Sequence, residues 1–237
     1  MSAQLLDKNN YISISEIIWP YRPDILIRID FLDWFNKNKN KYFKKLINLS
    51  KENIINNNKF IEDAKEHPYF LQYTRKHRYR KLNLSKKDSE KIYSNGLATF
   101  INLFENIKNN GFDKNKKIGL YNSLLLQKPS YGKKIYRKYY MGDGCHRLSC
   151  IIWLNKCDKV PLDFFTIQNK FLFRPVNSFG IFNKLGIFNS NDEADFYDLF
   201  KDNEGADFIK IITWSNKIHR RFKTLNSDDL FKIKFNN

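Results

Sequence analysis

The stretch Tyr139-Tyr140-Met141-Gly142-Asp143-Gly144-Cys145-His146-Arg147-Leu148-Ser149 decides how this chain is read. An aromatic run from Tyr136 to Met141 leads into it and an apolar run from Leu148 to Leu154 leaves it, which is the pattern of strand, tight turn and helix. Gly142 and Gly144 permit backbone angles that side chains forbid, and the first turn of a helix presents N–H groups at the positive end of its dipole. A phosphate suits that place. His146 and Arg147 add donors, the guanidinium as a planar fork matched to phosphate oxygens. Asp143 is then the odd residue, because a carboxylate at the lip repels an anion unless it takes a proton from an attacking hydroxyl or holds a metal ion. A structural reading stands beside this chemical one, in which Asp143 caps the helix and Arg147 pairs with a surface carboxylate.

The flanks extend the pattern. Phe100, Leu103, Phe104 and Ile107 recur at helical spacing in a helix predicted over Thr99 to Asn110, which stops at Gly111. Lys117 to Leu126 reads as a strand, Pro129 to Lys134 as a turn, Ile135 to Met141 as the next strand, and Val160 to Ile167 as a third strand beyond the motif helix. This order, with D-G-x-H-R at a strand-to-helix junction, resembles the ParB/sulfiredoxin family of nucleotide-binding domains over Thr99 to Ile167.

The branches of that family imply different chemistry for the same residues. Free serine kinases carry D-G-H-H-R, matched here by Asp143, Gly144, His146 and Arg147. The resemblance then implies Asp143 as the catalytic acid, the His-Arg pair on phosphate, and ATP or ADP with Mg²⁺. Those kinases also use an upstream Glu, for which Glu62, Glu66, Glu90 and Glu105 are candidates. In sulfiredoxins G-C-H-R, matched by Gly144 to Arg147, makes the cysteine the nucleophile. Cys145, at a helix start beside two basic residues, would take that part. The nucleotide contacts of the preceding helix fall on Thr99, Asn102 and Asn106. ParB clamps carry G-E-R-R, where this chain has Gly-Cys-His-Arg.

Composition sets outer limits. The 237 residues are 42% hydrophobic and 16% aromatic, which argues for a folded core and against disorder. No charged start with an apolar core follows Met1 and no apolar stretch approaches the about 20 residues of a bilayer span, so cytoplasm is the expected location. Of three cysteines, Cys150 and Cys157 read as small core residues, and no tetrahedral metal spacing emerges. The identity of any metal ligands stays open. Among four histidines only His146 has a supporting constellation, since His77 and His219 lie among cations. The formal charge of +17 and the basic stretch Arg75 to Lys87 offer a surface for nucleic acid, nucleotide or anionic substrate. Abundant Lys and Asn throughout, as expected of an AT-rich coding sequence, explain the charge equally well.

The expected architecture is mixed α/β (α+β): a mainly helical, basic N-terminal extension over 1–90, a ParB/sulfiredoxin-like core over 91–170, and a supporting region over 171–237. In the first part Ile25 to Phe35 reads as a short strand or helix, followed by a solvated helix. The aromatic cluster His67 to Tyr73 reads as packing between extension and core, with the lining of a substrate pocket as the alternative. In the last part a local repeat spans Phe179 to Asn189, Ser190 and Glu193 form a capping box, and Phe208 to Trp214 reads as a strand. The expected function is phosphoryl transfer from a nucleotide to a small-molecule hydroxyl. The alternatives are a ParB-type nucleic-acid-binding module and a sulfiredoxin-like cysteine enzyme.

Overall fold

In a computed structural model the described residues are 10–14, 17, 22–44, 49–70, 73, 85–122, 139–156, 159–171, 188–199, 210, 213–214, 216–218 and 220. Strand β1 (Tyr11–Ser13) precedes helix α1 (Pro23–Tyr42), the short helices α2 (Lys51–Ile55) and α3 (Asn58–Lys65), and the long helix α4 (Lys86–Asn110). Strands β2 (Ile118–Asn122) and β3 (Tyr139–Met141) lead to α5 (Cys145–Asn155), then β4 (Lys159–Pro161), a 3-10 turn (Leu162–Phe164), β5 (Phe165–Phe171) and α6 (Ser190–Asp198).

The strands form two small sheets. In one, β2 lies between an antiparallel β3 and a parallel β5; in the other, β1 and β4 pair antiparallel. The segment Val160 to Ile167, expected as one strand, changes sheets instead. The pairing with β1 ends at Pro161, opposite Tyr11, and the 3-10 turn redirects the chain to β2. The Leu162 N–H still reaches back to the Asn10 carbonyl at 2.7 Å.

Helix α5 is the centre of the packing, with α1 and α4 against it. Leu148, Cys150, Ile151 and Ile152 are buried on it, each large apolar side chain contributing about 1.5–3 kcal/mol. From α4, Phe104 meets Trp153 edge-on at 5.2 Å. Burial on α1 runs from Pro23 through Leu32 without a break and includes Asp24, Arg28 and Asp30. Periodicity alone marks such an all-round buried segment as ambiguous, and here it is the first half of one 20-residue helix. One hydrophobic cluster joins Ile12, Phe31, Phe104, Ile151, Phe196 and Ile218, so all three expected segments contribute to it. Helix α4 runs across the division expected at residue 90 and ends, as expected, at Gly111, whose φ of 79° suits glycine.

Two C-terminal expectations are corrected. The reciprocal capping pair is Asn189 with Asp192, one residue ahead of the expected box: the Asn189 N–H donates to the Asp192 carboxylate at 2.7 Å, and the Asp192 N–H to Asn189 Oδ1 at 2.9 Å. The expected strand Phe208 to Trp214 is helical at Lys210, Thr213 and Trp214. Trp214 packs on Phe188 and Phe196 and donates from its indole to the Asp192 carbonyl at 3.1 Å, a tertiary anchor that overrides the local β preference of aromatic residues. The turn Pro129 to Lys134, most of the repeat before Phe188, Cys157, His77, His219 and Arg75 to Lys81 lie outside the described residues. Among the described residues no helix is long and apolar enough to cross a membrane.

Candidate functional site

The motif forms the junction between β3 and α5. Gly144 is the N-cap of α5 at φ 89°, a left-handed conformation that costs any other L-residue about 1–2 kcal/mol. A Cβ there would stand 3.2 Å from the Ile118 side chain, and a Cβ on Gly142 would fall inside the Tyr121 ring. The two glycines thus let the turn lie flat on β2. The Gly119 carbonyl fastens it, accepting from the N–H groups of Gly142 at 2.9 Å and Asp143 at 3.3 Å. No side chain caps α5, so the N–H groups of its first turn, at the positive dipole end, have no side-chain cap partner.

Asp143 and Arg147 meet each other. Arg147 Nη2 donates to Asp143 Oδ2 at 2.8 Å, with the Asp143 side chain 82% exposed and that of Arg147 20%. Arg147 Nη1 donates to the carbonyls of Lys116 and, at 2.9 Å, Lys117. The carboxylate that Arg147 pairs with is therefore the motif's own, and the guanidinium also ties the loop before β2 to the helix start. An incoming anion would compete with Asp143 for Nη2.

Residues outside the motif build the remainder of the site, and they come from α1 and its neighbours. Arg22, just before α1, donates from Nη1 to the Met141 carbonyl at 3.0 Å and from Nη2 to Cys145 Sγ, so one guanidinium spans both ends of the motif turn. Its Nε and Nη2 grip the Asp24 carboxylate at 2.8 and 2.9 Å. Arg28, one turn along α1, donates from Nη1 to the same carboxylate and to the Asp24 carbonyl, both at 2.7 Å. Burial alone would push the Asp24 carboxyl up, but the two guanidiniums hold it well below the usual carboxylate range. On the other side of the helix start, the Tyr69 hydroxyl lies 2.9 Å from His146 Nε2, and the Phe100 ring stands 4.5 Å from the His146 ring. The sequence alone assigns no site role to Arg22, Asp24 and Arg28, and places Tyr69 only within an aromatic cluster. The available signals were the charge of Arg28 inside the apolar run Ile25 to Phe35 and the place of Tyr69 in the aromatic cluster His67 to Tyr73.

Other candidates lie elsewhere. Asn102 donates to the Leu49 carbonyl at 3.1 Å, and Asn106 accepts from Asn110 at 2.7 Å. Each is roughly 200° round α4 from Phe100 or Phe104, the residues that face α5. Glu62 and Glu90 engage Lys65, Glu105 pairs with Lys39 at 3.6 Å, and Glu66 closes α3. Cys150 is fully buried, and that burial pushes its thiol well up, as befits a core residue. Lys87 is exposed at the start of α4. No group of three or more His, Cys, Asp or Glu side chains that could hold a metal ion occurs among the described residues.

Comparison with protein families, with characterised proteins and with solved structures gives no match for this chain. The reading of the site rests on its geometry.

Proposed function

We propose that the unit from α4 through β5 is a ParB/sulfiredoxin-like core and that it transfers a phosphoryl group from a nucleotide to a small-molecule hydroxyl. The observation that carries this is the placing of an exposed carboxylate, Asp143, beside a helix start that has no side-chain cap and turns through the left-handed Gly144. The first turn of α5, His146 and Arg147 supply donors for phosphate. Asp143 stands at the lip, where it can accept the proton of an acceptor hydroxyl whose oxygen forms the new bond to phosphorus. The bond from phosphorus to the bridging oxygen of the nucleotide breaks, and its electron pair leaves with the shortened nucleotide.

The donor set fits Mg²⁺ carried in with a nucleotide, which takes one or two protein carboxylates and completes its shell from phosphates and water. Asp143 would be the holding residue, and the ion would offset phosphate charge. Arg147 orients Asp143 in the absence of ligand and turns to phosphate when one arrives. Asn102 and Asn106, assigned to nucleotide by the resemblance, take no part in this scheme.

A second reading has its own observation. The guanidinium of Arg22 lies against Cys145 Sγ at the helix start, the place a sulfiredoxin-like enzyme gives its nucleophile. A panel of ATP, ADP and CTP with candidate hydroxyl acceptors, scored for released ADP or AMP, separates the two. Asp143→Asn should nearly abolish turnover and Cys145→Ser should keep most of it; the reverse pattern refutes the kinase reading. A nucleic-acid-binding module would show itself by nucleotide-strengthened, sequence-selective DNA binding.

A further inference from the structure

Tyr69 arrives at the motif from 77 positions earlier in the chain. It is anchored before it gets there. Its N–H donates to His67 Nδ1 at 3.0 Å, and His67 Nε2 lies 2.9 Å from Asp30 Oδ2. Because Nδ1 accepts, the proton of a neutral His67 sits on Nε2 and is donated to Asp30. Asp30, His67 and Tyr69 are each at most 2% exposed, so this chain of bonds is dry and holds one geometry. The Tyr69 ring packs between Phe31 at 4.9 Å and Phe100 at 5.4 Å.

The hydroxyl at the end of this anchor keeps its proton. Burial pushes the Tyr69 phenol far above its ordinary range, and the positive charge of Arg28 offsets only part of that. A hydroxyl that donates to Nε2 of a neutral imidazole requires the ring proton on Nδ1. Imidazole in water prefers the opposite tautomer, with the proton on Nε2.

We propose that Tyr69 is a positioning residue acting through His146: its hydroxyl holds the neutral ring as the Nδ1–H tautomer and so sets which ring nitrogen donates when an anion binds at the motif. The ligand in this statement rests on the nucleotide-binding reading above; the tautomer does not. Tyr69→Phe removes one oxygen and keeps the packed ring.

The test is ¹⁵N NMR of histidine-labelled protein above pH 8, with His146→Gln identifying the resonances, together with calorimetric titration of Mg²⁺–ADP. Wild type should give a protonated Nδ1 and an unprotonated Nε2 at His146. Tyr69→Phe should move the ring toward the Nε2–H form and weaken ADP binding about tenfold. An Nε2–H tautomer in the wild type overturns the proposal, and that spectrum suffices if the variant does not fold. An unchanged tautomer in Tyr69→Phe, or a changed one with ADP affinity intact, overturns it as well. Wild-type protein that binds no ADP refutes the nucleotide reading and the ligand clause with it, while the spectrum still judges the Tyr69–His146 contact.

Discussion

Replacing Asp24 with Asn leaves the shape of the buried cluster nearly intact and removes the negative charge that Arg22 and Arg28 share. Three charge-assisted contacts of 2.8, 2.9 and 2.7 Å lose their ionic partner. Each cation is worth about 4 kcal/mol to the carboxylate at about 4 Å and an effective dielectric near 20, against a burial penalty of several kcal/mol per ion. Breaking such a pair from one side costs about 3–5 kcal/mol, because an uncompensated charge stays buried. Urea unfolding at pH 7 should show that loss for Asp24→Asn, and adding Arg28→Met should recover part of it by removing one stranded cation. The pH dependence has a definite sign. A carboxyl held below its unfolded value contributes fully above about pH 3.9 and loses about 1.4 kcal/mol per unit as pH falls below that. The gap between wild type and Asp24→Asn should therefore narrow between pH 4 and pH 3. A gap under about 1 kcal/mol at pH 7, or one that stays constant down to pH 3, would refute the assignment of a buried, ionised Asp24.

Two further outcomes follow from the motif turn. Gly144→Ala should destabilise the protein by more than Gly111→Ala. Both positions have positive φ, but a Cβ at Gly144 presses on Ile118 while one at Gly111 meets open space, so thermal melts should rank them with the control near 1–2 kcal/mol. Arg147→Ala removes the phosphate fork and frees the loop at Lys116 and Lys117, and should weaken nucleotide binding on the order of 10²-fold by calorimetry; equal ATP, ADP and CTP affinities in both proteins would discard the site.

Local rules were enough for the motif. Glycine at Gly144 and Gly111, where a left-handed angle is needed, and apolar spacing along α4 and α5 mark helix boundaries through backbone sterics and period, properties each residue carries with it. The placement of Asp143, Gly144, His146 and Arg147 at one strand-to-helix junction was legible for the same reason. Their partners were not. Arg22 and Asp24 stand just ahead of an apolar run and Arg28 inside it, and their charges look solvated until α1 is packed on α5, since nothing local says that a charge will be buried. The contact of Tyr69 with His146 joins residues 77 positions apart, and the split of Val160 to Ile167 between two sheets depends on where β1 and β2 lie. Only the assembled fold decides which groups share a dry interior, because desolvation and pairing act between residues that the chain order keeps apart.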